Sequence, residues 1–369
     1  MDKKLQLGVL FGGRSGEHAV SLMSARFILS VLDPDKYAIT EIGITRDGQW
    51  LTGENALQAL TDGDTSGFTP VTILPDPARS GLYSLQDGEE RFLGELDVVF
   101  PVLHGTFGED GTLQGLLEMA DLAYVGPGVV GAAVGMDKGV FADVMRANNI
   151  PIVPTIVILR SEIHMDMQTA LDKIEAFGAY PLFVKPANLG SSVGISKVKS
   201  RSDLLEGLME AAEYDRRVVV QKGLNVREIE VAVLGNDNPQ ASVPGEVLPG
   251  AEFYSYDAKY HDVHSKTVIP AELPAEMIEH IRDLAVRAYK AIDLAGLARV
   301  DFFLEKDTGE LYINELNTIP GFTQISMYPM LWEASGVSNQ ALVDRLIELA
   351  LERKADRDAT KRDFRRDAV

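Results

Sequence analysis

The stretch GLARVDFFLEKDTGELYINELNTIPG, Gly296 to Gly321, decides how the chain folds around its chemistry. Arg299, Asp301 and Phe303 alternate along one predicted strand, and Ile313, Glu315 and Asn317 alternate along one face of a second. Asp307-Thr308-Gly309 between them has the composition of a hairpin turn. A hairpin centred on Thr308 sets Asp301 opposite Glu315 and Arg299 opposite Asn317. Two carboxylates directly opposed repel each other. A bridging cation reverses that penalty, and oxygen-only ligands on a rigid hairpin suit Mg²⁺ that is bound to phosphate as well. A solvated strand face is the alternative reading of the same residues.

Upstream, FVKPANLGSSVGISKV (183–198) places Lys185 at the end of a predicted strand, Gly190–Gly194 in a loop, and Ile195–Val198 in the next strand. The glycines let backbone N–H groups approach phosphate oxygens, and Ser191 and Ser192 add donors. Gly190–Gly194 also fits the G-x-S-x-G of a nucleophile elbow. An elbow needs a helix directly after the serine, whereas this loop runs into a strand. No Gly-Lys-Ser/Thr occurs, so a Walker P-loop is not met. A strand–loop–strand hairpin beside a lysine suits a lid over a nucleotide; a hairpin without a ligand is the alternative.

At the N-terminal side, Leu7–Phe11 reads as a buried strand, 12–16 as a glycine-rich loop without G-x-G-x-x-G spacing, and Glu17–Leu32 as a helix. Glu17 either complements the helix dipole or presents a carboxylate to a cationic substrate group. Further strands at Tyr37–Ile44, Val98–Leu103 and Ala123–Val125, with a helix at Asp110–Met119, predict an α/β unit with a parallel sheet. Residues 61–95 read as a loop-rich insertion. A compact α+β unit follows the change of register near Met136. From Glu228 strands dominate, with helices at Glu276–Ile292 and Gln340–Arg353, and the charged stretch from Lys354 onward is expected to fray. The expected domains are 1–135, 136–225 and 226–369.

Composition narrows the function classes. A chain of 369 residues exceeds one ordinary core, and its 46% hydrophobic and 24% charged residues describe a folded globular protein. Net charge −20 argues against a nucleic-acid footprint. The absence of cysteine excludes disulfides, thiol catalysis and cysteine-based zinc sites. The apolar run after Lys4 is shorter than a signal core, and no stretch reaches the ~20 apolar residues of a membrane span, so the cytoplasm is expected and a membrane partner is not. His261 and His264 have a zinc-compatible spacing but no evident third ligand. His104 ends a predicted strand, where ligands often bind and where a capping role is equally open.

In their order along the chain these pieces resemble the D-alanine–D-alanine ligase family of the ATP-grasp superfamily. Phe11-Gly12-Gly13, Glu17 to Ser21, His104-Gly105 and Gly108 to Gly111 come first. Met136-Asp137-Lys138, Val184-Lys185-Pro186, Gly190–Gly194, Arg227 to Glu230, Tyr256–Tyr260, Arg299 to Asp301 and Asn314–Gly321 follow. The resemblance, over about residues 5–352, implies a three-domain fold with ATP between the central and C-terminal domains. It implies Lys138, Lys185 and Lys259 at the phosphates, Glu228 at the ribose, and Ser192 and Gln221 at the nucleotide. Asp301, Glu315 and Asn317 would hold two Mg²⁺ or Mn²⁺, and a monovalent cation stays open. Glu17 would receive the ammonium of a first D-alanine, in a network with Ser191 and Tyr260, with His104 near its carboxyl group. Arg299 and the Gly321 N–H would stabilise the oxyanion, and Ser326 with the Met327 N–H would hold the second carboxylate. The resemblance also implies a homodimer and a place in peptidoglycan precursor synthesis. Two departures stand out: Gln221 where many relatives have glutamate, and Asn188-Leu189 where some have a more polar pair. A D-alanine–D-lactate ligase or another ATP-grasp carboxylate–amine ligase would share Lys185 and Glu315 but differ around Glu17 and Tyr260.

Overall fold

A computed structural model of the chain describes residues 3–86, 88–190, 193–248 and 266–361. Its architecture is mixed α/β, built on three sheets. The first has eight strands, ordered across the sheet as Glu89–Gly94, Leu82–Gln86, Thr69–Ile73, Trp50–Thr52, Tyr37–Ile44, Leu5–Gly12, Val98–Val102 and Ala123–Tyr124. Only the last four are mutually parallel. The other four add on antiparallel. The sheet is therefore mixed rather than parallel throughout, and the expected loop-rich insertion contributes three of its strands, Thr69–Ile73, Leu82–Gln86 and Glu89–Gly94. Its glycines and prolines sit mostly at turns and strand ends, while Val71, Ile73 and Leu82 point into a core shared with Ile42, Val99 and Leu117.

The second sheet is wholly antiparallel, in the order Ser196–Val198, Leu182–Pro186, Arg217–Lys222, Thr155–Leu159. Helices Met167–Phe177 and Arg201–Tyr214 bury Leu171, Ile174, Leu204 and Leu208 against it. The third sheet orders Lys266–Val268, Gly245–Leu248, Val226–Leu234, Leu297–Glu305 and Leu311–Asn317, with Gln240–Ala241 also paired to Val226–Leu234. Helix Ala275–Ala291 packs Ile281, Leu284, Ala285, Ala288 and Tyr289 on this sheet.

Packing does not follow sequence order. Helix Lys138–Ala147 lies before the second sheet in sequence, yet Phe141, Ala142 and Met145 join the core of the third. Helices Met327–Ala334 and Asn339–Asp358 share a core with the first sheet, where Tyr328, Leu331, Leu342 and Leu346 meet residues such as Phe11, Val98 and Phe100. The last helix continues past Arg353, which corrects the expectation that the chain frays from Lys354. The Arg353 guanidinium lies 4.2 Å over the Tyr124 ring and donates to the carbonyls of Gly126 and Tyr124. Lys354 and Arg357 pair with Asp121, and Arg357 with Glu118. Among the described residues no helix is long and apolar enough to cross a membrane.

Candidate active site

The hairpin fixes the floor of the site. Strands Leu297–Glu305 and Leu311–Asn317 pair Arg299 with Asn317 and Asp301 with Glu315, the register expected from a turn at Thr308. The register then slips, so Phe302 faces Ile313 and Asn314 is the extra residue of a bulge. The slip corrects one expectation. Ile313 is not on the face of Glu315 and Asn317; it is fully buried with Val300, Phe302 and Leu316 in the core. The extra residue lets the strand bury both Ile313 and Leu316 while Glu315 and Asn317 line the cleft.

The neighbouring strand Val226–Leu234 sets Glu230 opposite Asp301, so Glu230, Asp301 and Glu315 form a row across three strands. Three carboxylates side by side need positive charge. Arg299 Nε lies 2.7 Å from Asp301 Oδ1 and 2.9 Å from Glu230, while its Nη2 donates to Asp301 Oδ2 at 2.7 Å. Burial pulls its pKa down, but Asp301 and then Glu230 hold it well above the usual arginine value. Asn317 Nδ2 also donates to Asp301 Oδ2, at 2.9 Å. Lys138 Nζ lies 3.9 Å from Glu315 and donates to the Leu189 carbonyl at 2.8 Å.

These residues fit a divalent cation. Three carboxylates face two fixed cations, the donors are oxygens, and the Asn314 amide oxygen is buried without a hydrogen-bond partner among the described residues. Among those residues no group of three or more His, Asp or Glu side chains is disposed to hold a metal alone. Phosphate oxygens would have to complete the shell, as for a divalent cation carried in with a nucleotide.

A cleft of 1240 Å³ opens above this floor. The second sheet contributes Phe183, Lys185, Lys197 and Gln221, the third Glu228, Arg299, Asp301, Glu315 and Asn317, and the loops after strands Leu5–Gly12 and Val98–Val102 contribute Glu17, His104 and Glu109. Lys185 is buried, and its Nζ lies 6.0 Å over the Phe183 ring, with Lys197 5.9 Å from the same ring. Gln221 is buried and donates to Thr155 Oγ1 at 3.1 Å. Ser326 Oγ accepts from the Thr323 N–H at 2.9 Å and precedes the helix that begins at Met327, whose first N–H groups need acceptors. Gly321 faces Ser326, since a Cβ on it would lie 3.2 Å from Ser326 Oγ.

Glu17 caps helix His18–Val31 by position without a side-chain bond to its N–H groups. Its carboxylate instead lies against two glycines. A Cβ at Gly105, where φ is +73°, would come within 2.4 Å of Glu17 Oε2, and one at Gly190 within 2.7 Å. His104 is buried, and its Nδ1 contacts the Ile319 carbonyl at 2.9 Å while Nε2 meets Ser24 Oγ at 2.9 Å. A carbonyl only accepts, so Nδ1 carries the proton and Nε2 accepts from Ser24. Burial lowers the pKa of this histidine and keeps it neutral. Its ring thus ties the end of strand Val98–Val102 to the loop before Gly321.

Glu109 was not singled out from sequence, although its motif was. Its Oε2 accepts from the Gly105 N–H at 2.7 Å and its Oε1 from the Ile319 N–H at 2.9 Å. Burial and then the nearby Glu17 charge raise its pKa to about 8. An acid within the glycine-rich run 108–111 was the available signal. Ser191, Ser192, Lys259, Tyr260, His261 and His264 lie outside the described residues. After residue 192 the chain turns through Gly194 into strand Ser196–Val198, with no helix, so the nucleophile-elbow reading stays excluded.

Comparison with known proteins agrees with this geometry. Residues 6–127 match the family described as D-ala D-ala ligase N-terminus, and residues 144–348 match D-ala D-ala ligase C-terminus. The D-alanine–D-alanine ligase of Natranaerobius thermophilus is 48% identical over 98% of this chain and 99% of its own. That of Thermoanaerobacter sp. strain X514 is 50% identical over 95% and 98%. Among solved structures, the D-alanine-D-alanine ligase from Coxiella burnetii superposes with a TM-score of 0.81 at 37% identity, covering 96% of each chain. The VanG D-Ala:D-Ser ligase from Enterococcus faecalis gives 0.85 at 35% identity, covering 94% of this chain and all of that one. With both halves matched and near-full-length relatives at this identity, the chain belongs to the D-alanine–D-alanine ligase family.

Proposed function

We propose that the chain joins two D-alanine molecules into D-alanyl-D-alanine with ATP, through a D-alanyl phosphate, for peptidoglycan precursor synthesis in the cytoplasm. The observation that carries this reading is the cleft in which Glu17, beside the first sheet, converges with Arg299, Asp301 and Glu315 of the third. A carboxylate is a poor electrophile because oxide is a bad leaving group. Attack of its oxygen on the γ-phosphorus of ATP gives the acyl phosphate and ADP, and the protein's part is positioning and charge neutralisation. Lys138, Lys185 and Lys259 would hold phosphates, Ser192 and Gln221 the nucleotide, and Glu228 its ribose. Two Mg²⁺, or Mn²⁺, would be held by Asp301, Glu315 and Asn317 and would neutralise phosphate charge. A monovalent cation remains an open addition.

In the second step a deprotonated amine attacks the acyl carbon, and phosphate leaves. Glu17 would bind the ammonium of the first D-alanine, with Ser191 and Tyr260 in its network and His104 near the carboxyl group. With both ring nitrogens engaged, His104 would act by holding the loop that ends at Gly321. Arg299 and the Gly321 N–H would stabilise the oxyanion, a role worth about 2.7–4 kcal/mol for one donor in well-studied acyl transfer. Ser326 and the Met327 N–H would hold the second carboxylate. We divide the chain into substrate (1–135), lid (136–225) and catalytic (226–369) domains, each containing one of the three sheets, and expect a homodimer.

The test is a competition among D-alanine, D-serine and D-lactate as second substrate across pH 6 to 9. Tyr260 is a neutral phenol that does not repel an incoming ammonium, so dipeptide should dominate in the wild type. Tyr260→Lys should raise the ester-to-dipeptide ratio, most at low pH where the amine is protonated. Mainly ester or D-serine product from the wild type would sink the reading, and an unchanged ratio in the variant would remove Tyr260 from it.

A further inference from the structure

Of the four residues that follow strand Leu182–Pro186, two hold Lys138 and one meets Glu17. The Ala187 carbonyl accepts from the Lys138 N–H at 3.1 Å, and the Leu189 carbonyl from Lys138 Nζ at 2.8 Å. Gly190 backs onto the Glu17 carboxylate, 2.7 Å from where its Cβ would stand. Asn188, between them, points away from the cleft and is exposed. It is nevertheless the residue with the most side-chain tethers in the run. Its N–H donates to Asp215 Oδ2 at 2.8 Å, and its Nδ2 donates to the same oxygen at 3.0 Å and to Asp137 Oδ2 at 3.2 Å.

Both acceptors are themselves fixed. Asp137 Oδ1 caps helix Lys138–Ala147 by accepting from the Gly139 and Val140 N–H groups at 3.0 and 2.9 Å. Its other oxygen pairs with Arg217. Asp215 Oδ1 accepts from the Arg217 N–H at 3.1 Å. Asn188 therefore fastens the run 187–190 to the cap of the helix that carries Lys138 and to the start of strand Arg217–Lys222. Lys138 is held by the run at its backbone and at its ammonium, and stands 3.9 Å from Glu315. Since the same run backs Glu17, one tether sets the nucleotide side and the amino-acid side of the cleft together.

We infer that Asn188 is a positioning residue for the reaction: by pinning 187–190 to Asp137 and Asp215 it places Lys138 toward the nucleotide phosphates and Glu17 toward the first amino acid. The inference rests on the assignment of those two subsites above. An exposed residue contributes little to the core, so its loss should leave folding intact while both subsites loosen. Hydrogen bonds to carboxylates are worth enough that losing two partly solvated ones gives about a tenfold effect.

Asn188→Ala and Asn188→Asp are compared with the wild type by thermal melting, steady-state kinetics and calorimetry of ADP binding. Both should melt close to the wild type. KM for ATP and KM for the first D-alanine should rise together, about tenfold in Asn188→Ala. Asn188→Asp should be worse, because it sets a third carboxylate against Asp137 and Asp215. ADP binding should weaken by a similar factor. Wild-type KM values for both substrates in both variants would overturn the inference, as would a rise confined to one substrate. A wild type that makes no dipeptide would overturn the parent reading instead, and the ADP measurement would still decide the role of Asn188.

Discussion

The site is assembled from residues whose partners are visible one at a time. Glu109 is the clearest case: it accepts from the Gly105 and Ile319 N–H groups and so ties the loop after strand Val98–Val102 to the loop before Gly321. Its pKa of about 8 lies above the unfolded value of about 4.3. Between these values the folded chain binds the extra proton. That contribution to stability is complete below the unfolded pKa and is lost as pH rises through 8. Urea unfolding of the wild type and Glu109→Gln at about pH 5.5 and pH 8 should therefore show the wild type losing ground to the variant at the higher pH. A difference independent of pH would contradict it. Much at this scale was legible in the sequence. Arg299, Asp301, Glu315 and Asn317 could be placed by strand alternation and a turn, because a hairpin register is a local property. The tie from His104 to Ile319 joins residues 215 apart, and no local period encodes such a contact.

At the scale of elements, the instructive failure is the face assigned to Ile313. Strict alternation put it with Glu315, and one bulged residue, Asn314, reversed it. A bulge has a strong consequence and a weak sequence signature, since any residue can be the extra one. Deleting Asn314 joins the Asp301–Glu315 and Phe302–Ile313 pairs into one uninterrupted register that keeps Ile313 in the core and Glu315 at the cleft, and should cost no more than about 1 kcal/mol. Asn314→Ala keeps the extra residue and should change stability by no more than about 1 kcal/mol. Chemical denaturation of the two variants checks this, and a loss of several kcal/mol on deletion would refute the bulge assignment. Residues 61–95 failed for another reason. Their turn residues outnumber their apolar ones, and the strands Thr69–Ile73 and Leu82–Gln86 bury only alternate positions against a core supplied from elsewhere in the chain.

Over the whole molecule, three sheets meet at one cleft, and the C-terminal helix shares a core with strands of the first and third sheets. The charged tail looked like a solvated end because Arg353, Lys354 and Arg357 each have partners more than 200 residues away, at Glu118, Asp121 and Tyr124. Arg353→Ala removes a cation–π contact and two donated hydrogen bonds from a half-buried site, and should cost about 1–3 kcal/mol by thermal or urea unfolding. A loss below about 0.5 kcal/mol, typical of a surface substitution, would return the tail to the frayed reading. The central claim is that this cleft couples ATP cleavage to peptide-bond formation between two D-alanines. The direct measurement is the stoichiometry of ADP, phosphate and dipeptide from purified protein given Mg·ATP and either D- or L-alanine, with Glu315→Gln alongside. One ADP and one phosphate per D-alanyl-D-alanine, no dipeptide from L-alanine, and turnover reduced by about a hundredfold or more in Glu315→Gln are expected. ATP cleavage without dipeptide, or full activity in Glu315→Gln, would contradict the account.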